Sequence, residues 1–261
     1  MTRPARAPSR GLQLLEAAVL PFEAVGFWAV QPALRALGRG DDHPVLLLPG
    51  FGASDLSTVP LRWTLRGQGY WAHAWQQGRN IGPTRRAVSG MRLRLEQLFG
   101  THGRPVTLIG QSLGGIYARV LAREQPQMVR QVITLGSPYR MVEGDRSAAQ
   151  RAWQRVEHLH TADLPLRAMP EHQRPPLAVP ATSIYSRTDG VAPWQTCIDV
   201  VGPLSENIEI RSSHVGMAVN PAAVFAILDR LAQPEDDWRP FQPPLPIRPL
   251  YPRATDWRGA A

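Results

Sequence analysis

This sequence contains no lysine; all 29 of its basic residues are arginine. The bias is read mainly as codon usage, but it has a chemical consequence. A phosphate-cradling P-loop needs its Lys, so Gly110-Gln111-Ser112-Leu113-Gly114-Gly115 is not one. Cysteine is nearly absent as well. Cys197 stands alone, so no intrachain disulfide can form and oxidative folding is not required. It has no CxxC or neighbouring histidine pattern, which leaves a small buried side chain as its expected role. Basic runs interleaved with aromatics are missing. The formal charge of +8 favours acidic surfaces in general, yet scattered arginines describe a solvated surface rather than a nucleic-acid site. No charge-free stretch reaches the ~18 residues of a membrane span. No long polar linker interrupts the 261 residues, and an apolar fraction of 43% is ordinary, so one large core is expected.

What the chain does contain is centred on Val106-Thr107-Leu108-Ile109-Gly110-Gln111-Ser112-Leu113-Gly114-Gly115. A β-branched apolar run enters this stretch, and Ile116, Tyr117, Val120 and Leu121 leave it at helical spacing. Ser112 stands between them in G-x-S-x-G, the strand–turn–helix context of a nucleophile elbow. The turn sets its hydroxyl at a helix N-terminus, where partial positive charge favours an anion. Glycine and serine are also ordinary turn residues, so the motif gains meaning from its partners. A serine nucleophile needs a base, and the base needs an orienting acid. Of the seven histidines, only His214 follows a strand-like run late in the chain, residues 207–211. Asp189, with Gly190 opening a loop behind it, ends an earlier apolar run. Asp199 is the rival acid, but its flanks, Ile198 and Val200, read as a strand interior or edge. Loop position therefore favours Asp189.

The order Ser112, Asp189, His214, with a G-x-S-x-G-G nucleophile segment and an S-x-x-D-G acid segment, resembles the α/β-hydrolase superfamily. It looks closest to bacterial lipases and esterases, and the resemblance covers about residues 43–231. It implies a mostly parallel twisted sheet with helices on both faces and a short helical lid insertion. The implied activity is cleavage of carboxylic esters through an acyl-enzyme on Ser112, with His214 as base and Asp189 as its orienting acid. It also implies an oxyanion hole from the backbone N–H groups of Phe51 and Leu113, although Pro49-Gly50 stands where many lipases have His-Gly. A serine at the elbow argues against epoxide and haloalkane hydrolysis, where this fold uses a carboxylate. Thioester hydrolysis or acyl transfer would use the same machinery, and a binding protein on an inactive scaffold is the remaining alternative. No cofactor or metal is expected; the partner is a small-molecule or lipid ester, not nucleic acid.

Along the chain, residues 1–42 read as an arginine- and proline-rich start and an apolar helical preamble. Pro21 and Pro32 are expected to divide the preamble into short helices. Three early arginines imitate a signal peptide, but Glu16 and Glu23 interrupt the apolar run and no small-residue cleavage site follows. The two glutamates share one helix face, with Leu12, Leu15, Val19 and Phe22 opposite. Residues 11–37 therefore suit either a membrane interface or a cover for the domain's own core, in a cytoplasmic protein. The usual antiparallel opening strands of the family are missing, so this preamble is expected to replace that sheet edge.

Residues 43–232 make the hydrolase domain. Thr58 is the expected N-cap of a helix to about Arg66, and Thr84 of the next helix. The loop 78–84 is expected at the Ser112 end of the sheet, and His73 is read as structural. An insertion over about 140–176 lacks strands and carries Trp153, Val156, Leu159, Leu164, Leu166 and Met169. With Trp63, Trp71 and Trp75 these are candidates to line an apolar groove. His158 and His160 face different sides of a helix and, like His172, are read as solvated. Residues 233–261 form a proline-rich tail.

Overall fold

The structure is a computed structural model and describes residues 5–37, 39–162, 171 and 174–255. Among the described residues six strands form one sheet: β1 (Pro44–Leu48), β2 (Trp71–Ala74), β3 (Val106–Gln111), β4 (Val129–Leu135), β5 (Ala181–Ser186) and β6 (Ser205–Ile210). All pairings are parallel, in the order β2-β1-β3-β4-β5-β6. A parallel sheet must be covered on both faces, and alternation along the strands shows how. Val45 and Leu47 of β1 point with Ile109, Ile133 and Ile184 to one core, while Leu46 and Leu48 point with Leu108 and Val132 to the other. The first core is closed by α1 (Arg10–Arg35), α2 (Val59–Gly67) and α6 (Pro221–Leu231), which supply Phe27, Leu61 and Val224. The second is closed by α3 (Arg85–His102) and α4 (Leu113–Glu124), through Met91, Leu95, Tyr117 and Leu121. Strand order reverses at β1, which opens a crevice between the C-terminal ends of β1 and β3.

The preamble departs from expectation. It is one continuous helix across Pro21 and Pro32, started by Ser9, whose hydroxyl accepts from the Leu12 N–H at 3.3 Å. Both prolines lie on the exposed side. The carbonyls they leave unpartnered, four residues earlier, can be hydrated there, so neither proline breaks the helix. Nor does α1 replace a sheet edge. It lies across one face, with Gly26 close to Pro221 of α6 and with Phe27 and Leu34 in the core. The edges are β2 and β6.

Thr58 does stand at the N-cap position of α2, but it also ends a 3₁₀ turn (Asp55–Thr58), and its hydroxyl donates back to the Asp55 carbonyl instead of accepting from the helix. Thr84 does cap α3, accepting from Ala87 N–H at 3.2 Å. Beyond α6 the chain runs back over the domain. Phe241 N–H donates to Glu206 at 2.6 Å and the Tyr251 hydroxyl to the Ala222 carbonyl at 2.8 Å.

Candidate active site

Ser112 sits in the turn between β3 and α4 with φ 51° and ψ −121°. A side chain at positive φ is strained, at a cost of order 1–3 kcal/mol, and such strain collects at functional sites. The turn closes because Gly110 and Gly114 lack side chains. A Cβ on Gly110 would strike the Gly114 backbone, and one on Gly114 would strike the carbonyls of Leu48 and Pro49 at the end of β1. The Ser112 N–H is tied to the Leu135 carbonyl at 2.8 Å, so the turn is also fixed to the end of β4.

Asp189 and His214 arrive from loops after β5 and β6. Asp189 Oδ2 lies 2.6 Å from His214 Nδ1, and both side chains are buried. The other carboxylate oxygen, Oδ1, accepts from the N–H groups of Val191 and Ala192 at 2.8 and 2.7 Å, so the carboxylate cannot rotate freely. Burial opposes charge on His214, but the facing Asp189 carboxylate, reinforced by Glu16, outweighs it and raises the imidazole pKa above the ordinary histidine value. The His214 carbonyl accepts from Gln111 Nε2 at 2.8 Å, which joins the histidine loop to the residue preceding Ser112. Phe51 follows Gly50, whose Cα side lies against Ser112; a Cβ there would sit 3.2 Å from the serine's own. Leu113 opens α4. Among the described residues neither the Phe51 nor the Leu113 N–H donates to a protein acceptor.

No protein-family model matches the sequence, and no curated protein matches it. Solved structures do match in shape. Lipase B of Aspergillus fumigatus superposes with a TM-score of 0.57 at 16% identity, over 75% of this chain and 53% of that one. This chain therefore spans about half of that lipase's length. The mature lipase BlEst2 of Bacillus licheniformis gives 0.52 at 14% identity, over 76% and 94%. The pyrethroid hydrolase PytH gives 0.53 at 15% identity, over 75% and 99%. This chain has the α/β-hydrolase fold.

Within the hydrolase fold, Asp199 has other work. It pairs with the buried guanidinium of Arg119 at 2.7 Å, and Glu171 pairs with the same group at 2.6 Å. The Arg119 guanidinium also stacks 4.1 Å above the Tyr139 ring. This cluster ties α4 to Glu171 and to Asp199, whose carboxylate is thereby paired with Arg119.

Three residues that shape the candidate site were not singled out as such from the sequence, although Asn80 lies in the loop 78–84 expected at the Ser112 end of the sheet. Asn80 is fully buried; its Nδ2 donates to the Pro49 carbonyl at 2.8 Å, and its main-chain carbonyl accepts from Gly52 N–H at 2.6 Å. It thereby shapes the loop that carries Phe51. The other two are the glutamates of α1. Glu16 accepts from the N–H groups of Gly190 (2.7 Å), His214 (2.7 Å) and Val215 (3.0 Å). Glu23 accepts from Ser212 Oγ (2.5 Å), Ser213 N–H (3.0 Å), Ser213 Oγ and Asn220 Nδ2 (3.1 Å). Their seven-residue spacing signalled one shared face, but nothing local said that this face is buried.

The groove candidates separate. Trp75 is core, with Nε1 donating to the Gly78 carbonyl. Trp63 packs on Trp28 of α1 at 5.3 Å, and Trp71 begins β2, at the sheet end opposite Ser112. Trp153, on α5 (Gln150–Val156), does reach the site: its ring lies 5.5 Å from Phe51 and 4.4 Å from His160. His160 is not merely solvated, because its Nε2 meets the Ile81 carbonyl at 2.9 Å. Val156 is half-buried and Leu159 exposed. Leu164, Leu166, Met169 and His172 lie outside the described residues.

Proposed function

We propose that this protein is a serine hydrolase of carboxylic esters. The buried Asp189–His214 pair, whose histidine loop is hydrogen-bonded to Gln111 directly before a strained serine at the N-terminus of α4, carries the reading. Ser112 attacks the acyl carbonyl, His214 takes its proton and later protonates the leaving alcohol, and Asp189 holds the imidazole tautomer and stabilises its charge. The N–H groups of Phe51 and Leu113 receive the developing oxyanion. Water then releases the acid from the acyl-enzyme. The lipase neighbours support this chemistry at the level of fold.

Trp153 and the half-buried Phe51 and Ile116 share one apolar cluster, which supports a lid segment over an apolar acyl groove. Each buried CH₂ stabilises binding by about 0.8 kcal/mol, so kcat/KM is expected to rise by up to about fourfold per methylene until the groove is full. A panel of p-nitrophenyl esters from acetate to hexanoate measures this. A monotonic fall from acetate removes the apolar groove. Failure of a fluorophosphonate probe to label the folded protein removes the hydrolase reading itself.

The same protein is proposed to rest on anionic lipid through α1. The helix is long and apolar enough to cross a membrane by length and composition. Its glutamates are turned inward, however, so Leu14 (77% exposed), Phe22 (78%) and Val25 (70%) face outward with no charge among them. Exposed Arg6, Arg10 and Arg35 flank that face, complementary to acidic headgroups, as an interface-lying helix requires. Co-sedimentation is expected with phosphatidylglycerol vesicles and to be lost in L14S/F22S/V25S. Equal binding to neutral vesicles removes the role of charge, and a concentration-dependent dimer without vesicle binding makes a second copy the occupant instead.

A further inference from the structure

Resting on the hydrolase reading, we infer that Glu16 and Glu23 of α1 are positioning residues for the reaction, holding the acid loop and the histidine loop in register across the site. Asp189 and His214 lie on different strands' loops, and their 2.6 Å contact needs both loops fixed in relative height. Glu16 spans that gap. One oxygen accepts from Gly190, directly after Asp189, and from the His214 N–H itself; the other accepts from Val215. A single carboxylate thus ties together the backbones that carry the acid and the base. Glu23, two turns along the same face, holds Ser212 and Ser213 just before the histidine and Asn220 six residues after it. The fit is tight. A Cβ on Gly190 would meet Glu16 and the Leu12 carbonyl, and one on Gly216 would meet Glu23.

A core-covering helix is held as well by apolar side chains as by acids, and buried carboxylates are costly unless fully hydrogen-bonded. Here the buried stripe Glu16, Glu23, Phe27, Gln31, Leu34 is acidic only where it faces the two loops; further along it is Phe27 and Leu34 that enter the core. Glu16 also acts through its charge. The charged groups facing His214 are Asp189 from the loop after β5 and Glu16 from α1, while Glu23 faces the neighbouring Ser213. Cys197 faces Asp189, and burial pushes its thiol pKa up, so it stays neutral. Both carboxylates favour the imidazolium that forms when Ser112 loses its proton.

The test is Glu16→Gln, with Glu16→Ala and Glu23→Gln beside it, in the full chain. In the wild type, kcat/KM is expected to rise with pH through a pKa above the ordinary histidine value of 6.5, because only neutral His214 can accept the serine proton. In Glu16→Gln that limb moves to lower pH while kcat falls and KM is retained. Glu16→Ala is expected to lose about 10²-fold in kcat, the scale of a ~1 Å misplacement. NMR titration of the His214 ring reads the same shift without turnover. Wild-type kcat together with a wild-type His214 titration in Glu16→Gln overturns the inference, even if Glu16→Ala does not fold. If the wild type hydrolyses no ester and Ser112 takes no probe, the hydrolase reading falls, and the ring titration still decides whether Glu16 governs His214.

Discussion

Ser112→Ala is expected to lower kcat for ester hydrolysis by about 10³-fold or more, because the members of a triad act as a unit and removing one removes most of the covalent route. Folding is expected to survive. Alanine keeps the Cβ that serine already places at φ 51°, so the substitution adds no backbone strain, and the Ser112 N–H bond to Leu135 is made by the main chain. Fluorophosphonate labelling is expected to vanish with the activity while the thermal unfolding midpoint stays. A folded, pure Ser112→Ala protein with most of its activity would sink the assignment, since among the described residues Ser112 is the one hydroxyl residue at positive φ.

Asp189→Asn is expected to be far more damaging to kcat/KM than Asp199→Asn, by as much as ~10⁴-fold, and the geometry says why. Oδ1 is claimed by the N–H groups of Val191 and Ala192. An asparagine must therefore leave its carbonyl there and turn its NH₂ toward His214 Nδ1. That donor places the ring proton on Nε2, the nitrogen that has to accept from Ser112. Asp199→Asn instead weakens a charged hydrogen bond to Arg119, at a cost of about 1.5–3 kcal/mol in stability, with kcat/KM retained. Parallel steady-state kinetics and urea unfolding of the two variants separate the effects. Loss of turnover in Asp199→Asn with Asp189→Asn unaffected reverses the assignment.

The elements that sequence made legible are those whose signal is local. Apolar runs of strand length and a glycine pair around Ser112 describe an elbow because the collision that Gly110 avoids, with the Gly114 backbone, lies within five residues of chain; the one Gly114 avoids, with Leu48 and Pro49, is set by the tertiary fold. The Thr84 cap is equally local. The choice between Asp189 and Asp199 leaned on loop character, but Asp199 also lies in a loop and not in the strand its flanks suggested; the structure separates them by a partner that no local pattern reveals, Arg119, 80 residues from Asp199. Trp75 and Trp153 looked alike as apolar candidates, and only packing sent one into the core and the other to Phe51.

The first helix divides the two kinds of information most clearly. Sequence by itself determined that residues 11–37 are helical and amphipathic, though in pieces divided at Pro21 and Pro32, and that Glu16 and Glu23 share a face; the structure joined the pieces into one helix, Arg10–Arg35. Amphipathic patterning then assigns charge to water, because a carboxylate loses more hydration on burial than it regains from apolar neighbours. Tertiary structure reversed the assignment. The donors that receive the two carboxylates, from Gly190 to Asn220, lie more than 170 residues further along the chain and come together only when β5 and β6 end at the same edge of the sheet. A face that reads as wet becomes the buried one when the fold, and not the helix, supplies the hydrogen bonds.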